Sequence, residues 1–559
     1  MEERRLLLAV ALSLLVLTAY SLLFPPAPQP QPPAPPAGAA TPGTTASAPP
    51  AEAAPRAEAS PAAAPAAPVP AVADARERRV EVSGADYSVA FSNKGARLVS
   101  WTLSRYKDAR GTPEEMVPAA GQAVRPLDVE TGIAAVDARL KEALFRASAE
   151  TLQVAAGAPA ALRFEYRDQD LEAEKRLEFR ASGLVGLQVF VRQQGRELPA
   201  RILWGPGIGN PTADERGVSG YQEPSGVALT VAGVERRPGS KLPQPADRVS
   251  GVRFIGVDSH YFSALFVSPN GAGSGELRPM SVTVAGSEKP LVLPVVAVDA
   301  SGGQPVELFV GAKDYGALAK LGLGLERVVQ VGDWLGPIVV PLMRLLRWVH
   351  GHVGNWGWSI VALTVLINLA MAPLRHYSVV NGIKMAKLGP EMRQIQDRYR
   401  KVPLMDPRRQ QMQDEVAALY SRHGMNMGSQ MMVGCLPLLL TMPFLFAFYR
   451  MLTVSIELRG AHFLWIADLA QKDPLYVMPV AMASTMYLMQ RMMPSTLDPA
   501  QQRVMMLMPL ILGVTFLNLP AGLNLYWLTS NLWSILQQGV SLRLLQPQRE
   551  KAAREKKPR

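Results

Sequence analysis

The stretch "LTVLINLAMAPL", residues 363–374, is too apolar to lie anywhere but in a protein core or a lipid bilayer. It belongs to a run over 358–374 that contains no charged residue. Within it Thr364 and Asn368 are four residues apart, so their side chains share one face of a helix. The run predicts a membrane-spanning helix that turns a polar stripe towards other helices or water. Pro373, near its end, is expected to kink this helix or to end its membrane part.

Similar apolar runs recur along the chain. They cover residues 6–24, 433–452, 475–493, 504–519 and 523–542. At about 1.5 Å per residue, such runs approach the length needed to cross a hydrocarbon layer of about 30 Å. The sequence therefore predicts an α-helical polytopic membrane protein with six transmembrane helices.

The run at residues 6–24 has two interpretations. Arg4 and Arg5 precede it, as in a secretory signal peptide. Its length and the lack of a clear small-x-small cleavage site favour an uncleaved anchor instead. The two arginines then place the N-terminus in the cytoplasm.

A different pattern fills residues 76–312. Segments such as "RRVEVSGADYSVAFSN" and "LVGLQVFVRQ" alternate apolar and polar residues, with Gly, Pro, Asn and Asp between them. This pattern predicts an antiparallel all-β domain of sandwich type. The stretch "GPGIGNP" at 205–211 is interpreted as a turn, because we find no helical pattern after it that a phosphate-binding loop would need.

Basic residues set the orientation. Residues 375–432 contain ten basic and five acidic residues, and the tail after residue 542 contains seven basic and two acidic ones. The loop 454–474 has two basic and three acidic residues. By the positive-inside rule the first two segments are cytoplasmic and the loop is outside. Six crossings with a cytoplasmic N-terminus also put the β domain outside, so the two arguments agree.

The predicted organisation follows from these patterns. A Pro/Ala-rich linker should be extended, since it cannot bury a core, and an apolar stripe from Leu335 to Leu346 predicts an amphipathic helix in the membrane interface. The segments are 1–24 (N-terminal transmembrane anchor), 25–75 (linker), 76–312 (β domain), 313–354 (linking and interfacial helices), 355–542 (helical core, with a cytoplasmic helical hairpin at 376–424) and 543–559 (basic cytoplasmic tail).

The hairpin is more basic and longer than a connecting loop requires. Its basic side chains suit an anionic partner such as a ribosome, an RNA-containing targeting particle or lipid, and the alternative is a solvated positive-inside loop. The candidate contact residues are Lys384, Lys387, Arg393, Arg398, Arg400, Lys401, Arg408 and Arg409.

No pattern indicates catalysis. Cys435 is the single cysteine, so neither an internal disulfide nor a cysteine-based metal site is possible. His350 and His352 diverge on a helix, and we find no nucleotide-binding motif and no catalytic triad. The sequence predicts neither enzymatic activity nor a cofactor.

Several long blocks resemble one known family. They are "VGNWGWSIVALTVLIN", "GCLPLLLTMPFLFAFYRML", "ELRGAHFLWIADLAQKDPLYVMPV", "DPAQQRVMMLMPLI" and "PAGLNLYWLTSNLWSILQQ". With these blocks the chain resembles the YidC-type membrane protein insertases of Gram-negative bacteria, within the Oxa/Alb family. "FSNKGARLVSWTLSRY" is similar to the start of that family's periplasmic β-supersandwich domain.

The resemblance implies a function. Five core helices would enclose a hydrophilic groove, open to the cytoplasm and to lipid, that helps nascent inner-membrane proteins to insert and fold, alone or with the Sec translocon. Implied partners are nascent membrane proteins, the ribosome, the signal recognition particle receptor, the Sec translocon and membrane lipids, without sequence-specific nucleic acid binding. The implied groove residues are Thr364, Asn368, Arg375, Thr441, Tyr526 and Trp527.

The chain departs from the family pattern at the stretch quoted first. The pattern has an arginine at the position of Asn368, where this chain has a neutral amide. Either hydration and amide hydrogen bonds suffice there, or Arg375 reaches back from the mouth of the groove. The connection 426–435 is also longer than usual.

Two other function classes are a transporter or channel, which would need intramembrane charges or inverted repeats, and a sugar-modifying protein, which would need paired carboxylates in its β domain.

Overall fold

The structure is a computed structural model. It describes residues 71–108, 110–119, 123–268, 273–283, 290–332, 334–399, 402, 406–423, 442–492 and 499–555. The predicted anchor at 1–24, most of the linker and the connection 426–435 lie outside the described residues. The chain divides into two compact units, of which one contains Leu388–Ser429 and the other Pro68–Lys387 with Gln430–Arg559.

The N-terminal half of the second unit is built from strands. Their bounds are β1 Arg79–Ser83, β2 Tyr87–Ser92, β3 Arg97–Lys107, β4 Pro113–Glu115, β5 Val129–Glu130, β6 Arg146–Ala147, β7 Thr151–Gln153, β8 Ala160–Arg167, β9 Leu171–Phe179, β10 Leu184–Gln193, β11 Arg196–Glu197, β12 Arg201–Trp204, β13 Ser225–Thr230, β14 Gly233–Pro238, β15 Asp247–Val252, β16 Phe254–Asp258, β17 Phe262–Val267, β18 Gly273–Val282, β19 Leu291–Asp299 and β20 Val306–Ala312.

These strands form three sheets. The largest has the order β14-β13-β16-β17-β20-β10-β9-β8-β6, with β11 paired to β10. Two five-stranded sheets have the orders β4-β3-β2-β1-β7 and β15-β18-β19-β12-β5. The pairing is antiparallel as predicted, except that β1 and β7 run parallel. A parallel pair needs a long crossover connection, and here the chain from β2 to β6 supplies it.

Side-chain alternation explains how the sheets meet. Along β9 the odd positions from Leu171 to Phe179 are buried and the even ones are not, which is the period-two pattern of a strand with one solvated face. Trp101 is fully buried, and its ring lies 6.4 Å from Trp204 and 6.5 Å from Phe179. Because these rings come from three different sheets, the domain has one continuous aromatic core.

Helices follow the β domain. Within the described residues the α-helices are α1 Ala134–Glu142, α2 Ala213–Gly217, α3 Tyr315–Lys320, α4 Gly336–Val353, α5 Trp356–Lys387, α6 Gly389–Arg398, α7 Arg408–Arg422, α8 Met442–Val454, α9 Val477–Met492, α10 Pro499–Phe516 and α11 Ala521–Glu555. The predicted combination of a β-rich domain and a helical core is thus present.

One short helix contradicts an expectation. The helix α2 begins directly after "GPGIGNP", where we had found no helical pattern. The hydroxyl of Thr212 accepts from the backbone N–H of Glu215, whose carboxylate accepts from the backbone N–H of Thr212. This capping box is readable as T-x-x-E and stabilises a single turn despite the lack of apolar residues.

Two helices are longer than the apolar runs from which they were predicted. The helix α5 continues past Pro373, which we expected to kink it or to end its membrane part. The helix α11 extends beyond residue 542 into the basic tail. In the described part of the chain one segment, Trp356–Pro373, is long and apolar enough to cross a membrane, while Met442–Val454 and Met505–Phe516 are shorter apolar helices. Six crossings therefore stay a prediction.

One of the contacts between the β domain and the helical core centres on a buried arginine. Arg459 lies in the connection between α8 and α9, and its guanidinium donates to Glu114 (2.9 Å) and Glu215 (2.8 Å) of the β domain. The rings of Tyr261 and Phe262 lie 5.9 and 5.3 Å from the same group. Burial by itself would lower the pKa of Arg459, but the two carboxylates outweigh it and raise that pKa. We call these five residues the Arg459 clamp.

Candidate functional site

A line of polar side chains joins the two longest helices, α5 and α11. On α11 the participating residues are spaced by four, three and four positions, which keeps them on one face of the helix. The contacts are Ser530 Oγ to Asn368 Oδ1 (3.4 Å), Arg375 Nη1 to Ser534 Oγ (2.8 Å), Gln537 Nε2 to the Ala372 carbonyl (2.8 Å) and His376 Nδ1 with Ser541 Oγ (3.0 Å). We call these residues the polar seam.

Asn368, at one end of the polar seam, is buried, and so is Thr364, one turn before it on α5. Thr364 is 0% exposed and Asn368 is 4% exposed. The Thr364 hydroxyl donates to the carbonyl of Ile360 in its own helix (2.6 Å). The Asn368 amide donates to the Thr364 carbonyl (2.8 Å) and accepts from Ser530. The polar groups of both residues are therefore hydrogen-bonded within the protein.

Arg375 differs from these two residues. Its side chain is only half-buried, and Ser534 takes one of the five N–H groups that a guanidinium carries. No carboxylate of the described residues lies within 4 Å of it. A half-buried cation attracts carboxylate or carbonyl oxygen strongly, because less water competes there than at an open surface. Arg375 is therefore the residue of the seam best suited to contact a polar ligand.

The two aromatic candidates lie one turn earlier on α11. Tyr526 precedes Ser530 by four residues, and its ring stacks on Phe448 of α8 at 4.4 Å between centroids. The Trp527 ring meets Phe516 of α10 edge-on at 4.6 Å. These contacts fix α11 against two neighbouring helices. Thr441 lies outside the described residues.

The helix α11 is polar on a second face, towards α9. Asn531 Nδ2 donates to Thr485 Oγ1 (3.2 Å), and Gln538 Nε2 donates to the Met492 carbonyl (3.1 Å). Ser534 and Ser541 of the polar seam were not among the candidates from the sequence. Ser534 and Ser541 lie four and eleven residues after Ser530 in "SNLWSILQQGVS". This spacing could have identified them as candidates, since positions 530, 534, 537 and 541 share one helical face.

The basic hairpin is described in part, and within its own unit. Its helices α6 and α7 are joined by Tyr399, whose hydroxyl donates to Glu415 (2.8 Å), and by a 3.3 Å contact between the Tyr420 hydroxyl and the Met392 sulfur. Among the candidates, Arg398 pairs with Glu415 and Arg408 with Asp406. Exposed side chains are found at Lys387, Arg393, Arg398 and Arg408, those of Lys384 and Arg409 are not described, and Arg400 and Lys401 lie outside the described residues.

Comparison with known proteins covers both halves of the chain. Residues 79–345 match the family model described as the YidC periplasmic domain, and residues 348–548 match the model described as 60Kd inner membrane protein. A relative from Syntrophus aciditrophicus, named membrane protein insertase YidC, is 30% identical over 96% of this chain and 98% of its own length.

A second relative points the same way. A relative from Geobacter metallireducens with the same name is 32% identical over 96% of this chain and 97% of its own length. A crystal structure of an active YidC insertase with its first transmembrane domain resolved shares 16% identity, with a TM-score of 0.34 over 84% of this chain and 94% of that one. The chain belongs to the YidC family of membrane protein insertases.

Proposed function

We propose that this protein inserts nascent membrane proteins into the bacterial inner membrane and helps them to fold, without a covalent reaction. The polar seam carries this proposal, above all the half-buried guanidinium of Arg375 between α5 and α11. Charged residues in membrane helices are costly and generally functional. The family of the chain supports the same activity.

The mechanism is a lowered desolvation barrier. A polar peptide or hydroxyl group that enters hydrocarbon without a partner costs about 4–8 kcal/mol on alkane scales. The free N–H groups of Arg375 would replace water for a passing polar segment, while the apolar segment of the substrate moves into lipid. Hydrophobic transfer and the membrane potential supply the driving force, so no nucleotide is required.

Arg375 compensates for the amide at position 368. The family pattern has an arginine where this chain has Asn368, and Arg375 lies seven residues further along the same helix. That spacing corresponds to about 10 Å, or two turns. The positive charge of the groove would therefore lie two turns nearer to the cytoplasm than Asn368, and Thr364 and Tyr526 would lie on the periplasmic side of it. Thr441, which lies outside the described residues, is kept as a further candidate.

The direction of the helices supports the proposed topology. Successive contacts in α5 and α11 advance together, as do those of α9 and α11, so these three helices run parallel. The contact between Gln490 and Met505 and that between Ala483 and Gly513 make α10 antiparallel to α9. This alternation fits six crossings with both termini cytoplasmic and the β domain periplasmic.

The hairpin would bind the delivery machinery. Exposed arginines on α6 and α7 suit a ribosome or a signal recognition particle receptor, since both present anionic surfaces. We include the Sec translocon as a partner on the strength of the family resemblance, and no sequence-specific nucleic acid.

A depletion strain tests the proposal. Arg375→Met should lower the protease-protected fraction of a single-span substrate, and Asn368→Leu should lower it less, because Arg375 remains. The double variant Asn368→Arg/Arg375→Met should recover insertion, since the charge returns two turns away. Arg344→Met, an exposed arginine of α4, is the matched control. Unchanged insertion by Arg375→Met would contradict the proposal.

A further inference from the structure

A second feature of the core lies apart from the polar seam. A groove of about 550 Å³ runs between α9 and α10. Its walls are apolar apart from Ser484 and Tyr487, and several lining side chains are well exposed. The lining includes Val480, Ala483, Tyr487, Leu510, Gly513 and Val514.

A close approach of the two helices forms the floor of this groove. A Cβ atom at Gly513 would lie only 2.9 Å from the Cβ of Ala483. The small residues therefore bring the backbones together, while Val480, Leu510 and Val514 stand out on either side with about 60% of their surface exposed. The resulting shape is a long apolar channel along the helices, which suits a hydrocarbon chain better than a compact ligand.

One end of the groove is polar and cationic. Beyond Tyr487, Gln490 Nε2 donates to the Met505 carbonyl (2.8 Å) and joins the two helices there. Arg491 lies next to it, with its guanidinium carbon 5.2 Å from the centre of the Tyr487 ring. No carboxylate in the described part of the chain lies within 4 Å of that guanidinium. Stacking on the ring holds the cation at the mouth and leaves its N–H edges available.

We propose that this groove binds an anionic phospholipid, with one acyl chain between α9 and α10 and the phosphate on Arg491. The charge at one end decides between possible occupants. A transmembrane polypeptide segment would fill the channel but would leave the guanidinium without a counter-charge, whereas a lipid phosphate accepts a bidentate pair of hydrogen bonds from it. With the proposed topology this end lies at the cytoplasmic surface, where long basic side chains reach the headgroups.

Photocrosslinking of lipid to the full-length protein tests the site. The protein is placed in phosphatidylcholine vesicles that contain a minor fraction of phosphatidylglycerol with a photoactivatable group on one acyl chain. Adducts are expected on α9 and α10 residues that line the groove. Unlabelled phosphatidylglycerol should compete about fivefold better than phosphatidylcholine, the preference expected for one basic side chain at a membrane surface.

Two pairs of variants test binding of the lipid headgroup and binding of the acyl chain separately. Arg491→Gln should remove the fivefold preference, while Arg344→Gln, which removes an exposed arginine elsewhere, should keep it. Val514→Trp should abolish the adducts by filling the channel, while Ile511→Trp, on an exposed position outside the lining, should keep them. Wild-type elution in size-exclusion chromatography shows that each variant is folded.

Three results would overturn the proposal. They are equal competition by both lipids, an unchanged preference in Arg491→Gln, and displacement of the lipid label by a nascent apolar segment. The lipid competition and the variant measurements contain no nascent chain, so their failure would leave the proposed insertion activity untouched.

Discussion

Removal of Arg459 should loosen the β domain from the helical core. The side chain of Arg459 is 7% exposed and that of Glu114 is 6% exposed, so the clamp is almost dry. Arg459→Met keeps much of the apolar stem but leaves Glu114 and Glu215 without their counter-ion. Removing one partner of a buried ion pair costs about 3–5 kcal/mol, because the remaining charge is uncompensated.

The pH dependence of this effect has a definite sign. Burial raises the pKa of Glu114 even with Arg459 present, so the folded protein binds a proton more readily there than the unfolded chain. In Arg459→Met that pKa rises further. Acidification towards it protonates Glu114 and removes the uncompensated charge. The deficit of the variant should therefore shrink as the pH falls, and persist at neutral pH.

Hydrogen exchange on the full-length protein in detergent measures the effect. Amides of β4 and α2, which carry the two carboxylates, should exchange faster in Arg459→Met than in the wild type. The control Arg163→Met removes an exposed arginine that pairs with Glu174, where a loss of at most about 1 kcal/mol is expected. Adding Glu114→Gln to Arg459→Met should restore part of the protection. Equal exchange in Arg459→Met and the control would refute the buried clamp.

Two further predictions concern the β domain and the hairpin. Lys175 is buried with its ammonium donating to the Ala96 and Leu127 carbonyls, and burial lowers its pKa to about 8. Between pH 8 and 10.5 the unfolded chain then binds more protons than the folded protein, so the free energy of unfolding should rise with pH there, by up to about 3 kcal/mol from this residue. In urea unfolding, Lys175→Met should show a shallower rise of that free energy with pH. An identical slope in the variant and the wild type would contradict the lowered pKa of Lys175. For the hairpin, Arg393→Glu should weaken co-sedimentation with ribosomes, and wild-type binding should weaken with salt, whereas salt-independent binding would point to a different contact.

Elements with strong periodicity were predictable from the sequence. The strand β9 was predictable from "AEKRLEFRA", because the buried side chains of a half-buried strand occupy alternate positions along the chain. The amphipathic helix α4 was readable for the same reason at period 3.6, and Val339, Leu342 and Leu346 of its stripe are buried. In both cases the pattern depends only on neighbours along the chain.

Features that depend on distant partners were not predictable. Arg459 counted only as one basic residue in an outer loop, although Glu114 pairs with it across 345 positions. The alignment of Asn368 and Arg375 on one side of a helix was readable, but the pairing with Ser530 and Ser534 requires the packing of α5 on α11. Pro373 was expected to kink α5 or to end its membrane part, and the helix continues because a proline removes only one hydrogen bond when packing holds the rest.

Site-specific crosslinking shows whether a nascent chain passes along a polar path beside α5. A photoreactive amino acid at Asn368, Thr441 or Tyr526 is illuminated in the presence of a ribosome-stalled membrane nascent chain, with Leu369, an exposed position of the same helix, as the control. We expect the first three positions to capture the polar flank of the nascent chain. Position 369 should capture lipid or the apolar segment. Capture of lipid alone from all four positions would show that no polar path exists beside α5 and would contradict the account.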